Sequence, residues 1–154
     1  MFHCVLFEPE IPQNTGNIMR LCVNMPLQLH LIHPLGFELD NKRLRRAGLD
    51  YREWADVKQY QSFAEFIEQV NPPRLFACST KGAKYYNKVA YQKGDAFVFG
   101  PETRGLPADI LAQFATDNII KIPMQAHSRS LNLANSVAVI GYQAWQQHDF
   151  AGIA

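Results

Sequence analysis

The stretch "FHCVLFEPEIPQNTGNIMRLCVNM", residues 2–25, sets a short apolar run directly before an amphipathic one. Phe2–Phe7 reads as a strand, being short, apolar and bounded by a charge and a proline. Over 15–25, Ile18, Leu21, Cys22 and Met25 recur at the i, i+3, i+4, i+7 spacing of one buried helix face. Asn17, Arg20 and Asn24 fall together on the opposite face, an arrangement that a merely solvated helix would also show. Between strand and helix, Pro9 and Pro12 stiffen the chain. Asn14 or Thr15 can cap the helix, and Gly16 allows close backbone approach.

The strand–helix unit repeats along the chain. "LQLHLIH" (27–33), "RLFACST" (74–80), "AFVFG" (96–100) and "NIIKIP" (118–123) read as further strands. Phe63, Phe66, Ile67 and Val70 mark a helix over 61–70, and Pro107 is placed to open one over "PADILAQFA". The last helix is expected over 131–147, with Leu131, Ala134, Ala138, Gly141 and Trp145 as its stripe and Ser128 or Ser130 as its cap. Such alternation predicts an α/β fold with a mostly parallel sheet and helices on both faces. Ligands of such sheets bind at the carboxyl ends of the strands. The loops after Phe7, Cys78–Thr80, Phe99 and Ile122 are therefore where a site is expected.

The 154 residues are 47% hydrophobic, enough for one core, and a single domain over 1–154 is expected. A net charge of +1 excludes a bulk-basic nucleic-acid coat, so any RNA contact needs a local patch. "NKRLRRAG" (41–48) offers one in Lys42, Arg43, Arg45 and Arg46; a solvated helix without a partner would look the same. Cys4, Cys22 and Cys78 form no CxxC pair and read as reduced thiols. Glu8 interrupts the apolar start, and no run approaches the roughly 20 apolar residues of a membrane span. The expectation is a cytoplasmic protein without a membrane partner. His30 and His33 lie three apart in a strand and point to opposite faces, so no metal site is expected. There is no GxGxxG, no GxxxxGK[ST] and no G-x-S-x-G, which argues against a dehydrogenase, a P-loop enzyme and an α/β-hydrolase.

Three loops remain that carry polar groups at strand ends. They are "NTGNIMR" (14–20), "FVFGPETRGLP" (97–107) and "IPMQAHSRSLNLANSVAV" (122–139). In this order they resemble the three signature motifs of the SPOUT (SpoU-TrmD) RNA methyltransferases. With "NKRLRRAGLDY" (41–51) they are similar to the TrmL (YibK) branch, a minimal catalytic domain. The resemblance covers nearly the whole chain.

It implies a deep trefoil knot built from about 75–150, which holds S-adenosylmethionine (SAM) and yields S-adenosylhomocysteine. It also implies an obligate homodimer. The implied reaction is 2′-O-methylation of wobble nucleotide 34, a cytidine or modified uridine, in leucine tRNAs. Motif by motif, the resemblance puts SAM contacts on Cys78, Gly100, Ile122 and Ser130, and the catalytic polar set on Asn14, Arg20, Glu102, Ser130 and Asn132. Two departures show: Cys78 stands where a larger aliphatic residue is expected, and "NMP" (24–26) replaces a small-residue turn.

The resemblance gives Arg20 the role of proton acceptor; a second reading of this permanently charged guanidinium is a phosphate clamp, with water taking the proton. RNA contact is expected from Lys42, Arg43, Arg45 and Arg46, with Tyr142 stacking on a base or touching ribose. Trp145 and Phe150 are candidates for a dimer interface, or equally for intrachain packing. The alternative function is a SAM-binding RNA assembly factor without catalysis. Such a factor would lose the polar set, whereas Asn14, Arg20, Glu102 and Asn132 are all present.

Overall fold

A computed structural model describes residues 1–152. Seven strands form one parallel sheet: β1 (Phe2–Phe7), β2 (Leu27–Ile32), β3 (Lys58–Tyr60), β4 (Leu75–Cys78), β5 (Lys84–Tyr85), β6 (Ala96–Phe99) and β7 (Ile119–Lys121). Their order is β3-β2-β1-β6-β4-β7-β5, and every pairing is parallel. Parallel strands covered on both faces should be apolar throughout, and all four residues of β6 are buried.

Helices α1 (Pro12–Asn24), α2 (Asn41–Arg46), α3 (Tyr51–Trp54), α4 (Phe63–Val70), α5 (Ala108–Leu111) and α6 (Leu133–Gln146) divide between the faces. Ile18 and Met19 of α1, Leu44 of α2 and Val137, Ile140 and Ala144 of α6 pack on one side, against Phe2, Cys4, Leu29 and Phe97. Phe63 and Phe66 of α4 and Ile110 of α5 pack on the other, against Val5, Ile32, Ala77 and Val98. Alternate β1 residues thus enter opposite layers, as the period of two requires. At one margin Arg74 holds the fully buried Asp95 with two hydrogen bonds of 2.9 and 2.6 Å. No helix among the described residues is long and apolar enough to cross a membrane.

Two expected caps are corrected. Helix α1 begins at Pro12, not near 15, because proline's fixed φ suits the first turn; Asn14 and Thr15 lie buried inside it and cap nothing. Helix α6 begins at Leu133, and its cap is Asn132 rather than Ser128 or Ser130. Asn132 Oδ1 accepts from the amides of Ala134 and Asn135, while the Ser128 hydroxyl turns back to Gln125 O. The buried stripe of α6 is Val137, Ile140, Gly141 and Ala144; Leu131 precedes the helix and is exposed, and Ala134, Ala138 and Trp145 are only partly covered. The helix opened by Pro107 is short, Ala108–Leu111, with Pro107 itself as N-cap. Strands β3 and β5, of three and two residues, were not expected.

Candidate active site at the strand ends

The loops after β1, β6 and β7 meet through side chains. Strands β1 and β6 are neighbours, so the loops that follow them emerge side by side. Glu102 lies in the loop after β6. Its carboxylate accepts from the backbone amides of Glu10 and Ile11, both at 2.8 Å, and from Asn14 Nδ2 at 3.2 Å. In return Glu10 accepts from the amide and hydroxyl of Thr103 and from Arg104 Nε, and Arg104 also reaches Glu8. The hydrogen bonds from Thr103 hold the Glu10 carboxyl below its usual pKa. A plain turn needs neither Glu102 nor Arg104; here both lock one loop to the other.

The network continues to the third loop. Asn132 Nδ2 donates to Asn14 Oδ1 at 3.0 Å. The amide orientations of Asn14 and Asn132 both follow from one acceptor. A carboxylate only accepts, so the Nδ2 of Asn14 faces Glu102 and its Oδ1 faces Asn132. Asn132 must then present Nδ2 to Asn14 and Oδ1 to the helix amides that it caps. Asn14 is buried, and the Thr15 hydroxyl beside it has no hydrogen-bond partner among the described residues. Glu8 (φ 49°) and His127 (φ 65°) hold left-handed backbone within these loops, a conformation that costs energy for side chains with a Cβ.

Arg20 stands apart. It lies six residues beyond Asn14 on α1, about 9 Å along the axis. Its guanidinium contacts Ala47 O at 3.3 Å and Glu53 Oε2 at 3.2 Å. Gly48 (φ 84°) makes room for it, since a Cβ there would lie 3.2 Å from Arg20 Nη2. Glu53 is placed in turn by a capping box with Asp50 at the start of α3. The D-x-x-E spacing in "DYRE" (50–53) is the sequence signal for this support.

Three of the four expected cofactor positions lie at adjacent strand ends. Cys78 closes β4 between Phe99 of β6 and Ile120 of β7, so Gly100 and Ile122 emerge on either side of it. Gly100 has no room for a side chain: a Cβ would sit 2.4 Å from the amide nitrogen of Leu106. Burial pushes the Cys78 thiol far up in pKa, and burial, then Cys22, does the same to Cys4. Neither thiol is an activated nucleophile. Ser130 is exposed in the loop before α6.

The basic helix is only partly free. Arg43 is bound to Glu38 and to Asp40, the N-cap of its own helix. Lys42, Arg45 and Arg46 are exposed, and among the described residues none has a carboxylate within 4.0 Å. Tyr142 is exposed on α6, 5.8 Å from Trp145 between ring centroids. Trp145 packs edge-on against Phe150 and donates to Ala151 O within its own chain.

The model of the SpoU rRNA Methylase family matches residues 1–142. The chain belongs to the SpoU methylase family. A relative from Saccharophagus degradans, named tRNA (cytidine(34)-2′-O)-methyltransferase, is 58% identical over 152 residues, covering 99% of each chain. One of the same name from Escherichia coli K12 is 53% identical, covering 99% of this chain and 97% of its own. A solved structure titled for the 2-OH methylation of C/U34 on tRNA matches with a TM-score of 0.86 at 45% identity, covering 97% of each chain. The AviRb SpoU methyltransferase of Streptomyces viridochromogenes in complex with AdoMet shares the fold of this family member, with a TM-score of 0.81 at 22% identity. That match covers 98% of this chain and 58% of AviRb. The chain is thus an α/β methyltransferase of the SPOUT class, as its three loops had implied.

Proposed function

We propose that this SpoU family member is a SAM-dependent methyltransferase that modifies the ribose 2′-OH of nucleotide 34 in tRNA, with leucine isoacceptors as substrates. The observation that carries the reading is the chain of hydrogen bonds from Glu102 through Asn14 to Asn132, which joins the three motif loops at the carboxyl edge of the sheet. Relatives of more than half identity across the full chain carry the position-34 name.

The residues fit the cofactor. Backbone at Gly100 approaches too closely for any side chain, and Cys78, Gly100 and Ile122 sit on neighbouring strand ends, where an adenosine moiety can lie against main-chain groups. SAM, when bound, supplies an already activated methyl group. The protein's task is then position: the 2′-oxygen must lie in line with the methyl–sulfur bond. Glu102 spends both oxygens on Glu10, Ile11 and Asn14, so it is a positioning residue rather than a proton acceptor. Asn132 plays the same part between Asn14 and the start of α6. Ser130, exposed beside them, is assigned to cofactor and ribose.

Arg20 is assigned to the phosphate next to the reacting ribose, where a fixed cation stabilises charge developing on the oxygen. Water accepts the proton, since a guanidinium is a poor base. Within one chain Arg20 is held away from the Asn14 network by Ala47 and Glu53. A site spanning both chains of a homodimer accommodates that separation. The C-terminal knot, the single domain and a cytoplasmic location belong to the same reading.

The test is nucleoside mass spectrometry of tRNA from a strain lacking the protein. Loss of 2′-O-methylation at nucleotide 34 of leucine tRNAs, restored by the purified protein with SAM, is expected. Unaltered position 34 with a missing methyl elsewhere in RNA would overturn the substrate.

A further inference from the structure

A second basic surface lies at the far end of the sheet from α2. Between Lys81 and Lys93 the chain carries four lysines, Lys81, Lys84, Lys88 and Lys93, with no acidic residue among them. In the fold, two of these join Lys121 around a depression of about 470 Å³ lined by Ala83, Lys84, Tyr85, Lys88, Asp117 and Lys121. Tyr85 is 45% exposed, and Lys121 Nζ lies 5.4 Å from its ring centroid. Among the described residues, Lys84, Lys88 and Lys121 have no carboxylate within 4.0 Å, so Asp117 lines the depression without pairing to them. Three cations without a carboxylate partner beside a half-exposed aromatic ring match a polynucleotide: phosphates for the lysines, a base or sugar for the ring.

Its position supplies the second argument. Tyr85 pairs with Lys121 in the parallel register of β5 and β7, and Ile122, the first residue of the third motif loop, follows Lys121 directly. The depression therefore borders the carboxyl edge on which the proposed reaction centre lies. Helix α2 belongs to the connection between β2 and β3, at the opposite end of the strand order. Edge strands β3 and β5 are six inter-strand steps apart, about 29 Å, with the motif loops between them.

We propose that the β5–β7 edge is a phosphate-binding surface that holds the RNA substrate on the side of the reaction centre away from α2. This rests on the reading that tRNA is the substrate. Its test is fluorescence anisotropy with labelled leucine tRNA across a salt series, on the full chain. The variant Lys84→Gln/Lys88→Gln/Lys121→Gln is expected to bind about tenfold more weakly, with the slope of log K against log salt reduced by about 2 to 3. The corresponding triple arginine variant keeps both affinity and slope. Wild-type affinity and slope in the glutamine variant would overturn the proposal and leave the surface to an acidic protein partner. So would equal losses in the arginine and glutamine variants, which mark a packing role. A wild-type protein that binds no tRNA would instead sink the substrate reading itself.

Discussion

A single carboxylate decides much of the site's geometry. Glu102 can only accept, and that fact sets the orientation of Asn14, then of Asn132, and then of the first turn of α6. Arg20 has a different kind of support: Glu53 and a backbone carbonyl aim it, and it shares no bond with the three-residue chain. The two arrangements predict different losses. Arg20→Ala is expected to lower kcat for methyl transfer by at least about 100-fold while SAM affinity, read by calorimetry, stays within a few-fold. A collapse of SAM binding would make Arg20 structural. Because the Arg20 side of the Arg20–Glu53 pair is about half-exposed and screened by water, folding stability should change by only about 1 kcal/mol in the same variant.

Among the elements, α6 shows what a sequence reveals and what it hides. In "HSRSLNLANSVAV" (127–139) the sequence pointed to Ser128 or Ser130 as the cap, whereas the residue that caps the helix is Asn132. That choice depends on Asn14, 118 residues away. The main strands and the longer helices were legible because their apolar periods are long enough to read. Strands β3 and β5 were not, since two or three residues carry no period and form only because a neighbour offers an open edge. The strand-end rule named the loops after β1, β6 and β7 that hydrogen bonds join, whereas the partners of Arg20 and Arg43 required coordinates. Asn132 also yields a test that separates cap from network. Asn132→Ala loses both the cap and the partner of buried Asn14, and is expected to destabilise by about 2 kcal/mol in urea melts. Asn132→Asp keeps an acceptor for Ala134 and Asn135 but turns an oxygen toward Asn14 Oδ1. Asn14 cannot flip to relieve this, because Glu102 requires its Nδ2. The aspartate variant should therefore stay closer to wild type in stability yet lose methyl transfer. Equal stability losses in both variants would show that the Asn14 bond, not the cap, holds the start of α6.

Over the whole molecule, stability is tied to pH through a buried relay at the β3 end of the sheet. His30 Nε2 faces His3 Nδ1 at 2.9 Å and His30 Nδ1 faces the Tyr60 hydroxyl at 2.9 Å, so the relay spans β1, β2 and β3. Burial first, then the nearby charges of His3 and Lys58, push His30 down to a pKa of about 3. The groups around it are His3, Tyr60, Lys58 and the ring of Phe66, none of them a carboxylate. An unfolded chain would bind that proton near pH 6.5. Between about 6.5 and 3 the unfolded state holds more protons than the folded one, so stability is fully present above 6.5 and falls as pH falls through this window. Down to pH 5 the loss from this one group is about 2 kcal/mol. Urea unfolding at pH 7.5 and pH 5 should show that loss in the wild type. It should be largely absent in His30→Gln, whose side chain can still bridge His3 and Tyr60 but does not titrate. The same comparison isolates the histidine from the carboxylates, which are the same in both proteins. A wild type and a His30→Gln variant that weaken in parallel would place the acid sensitivity outside the relay.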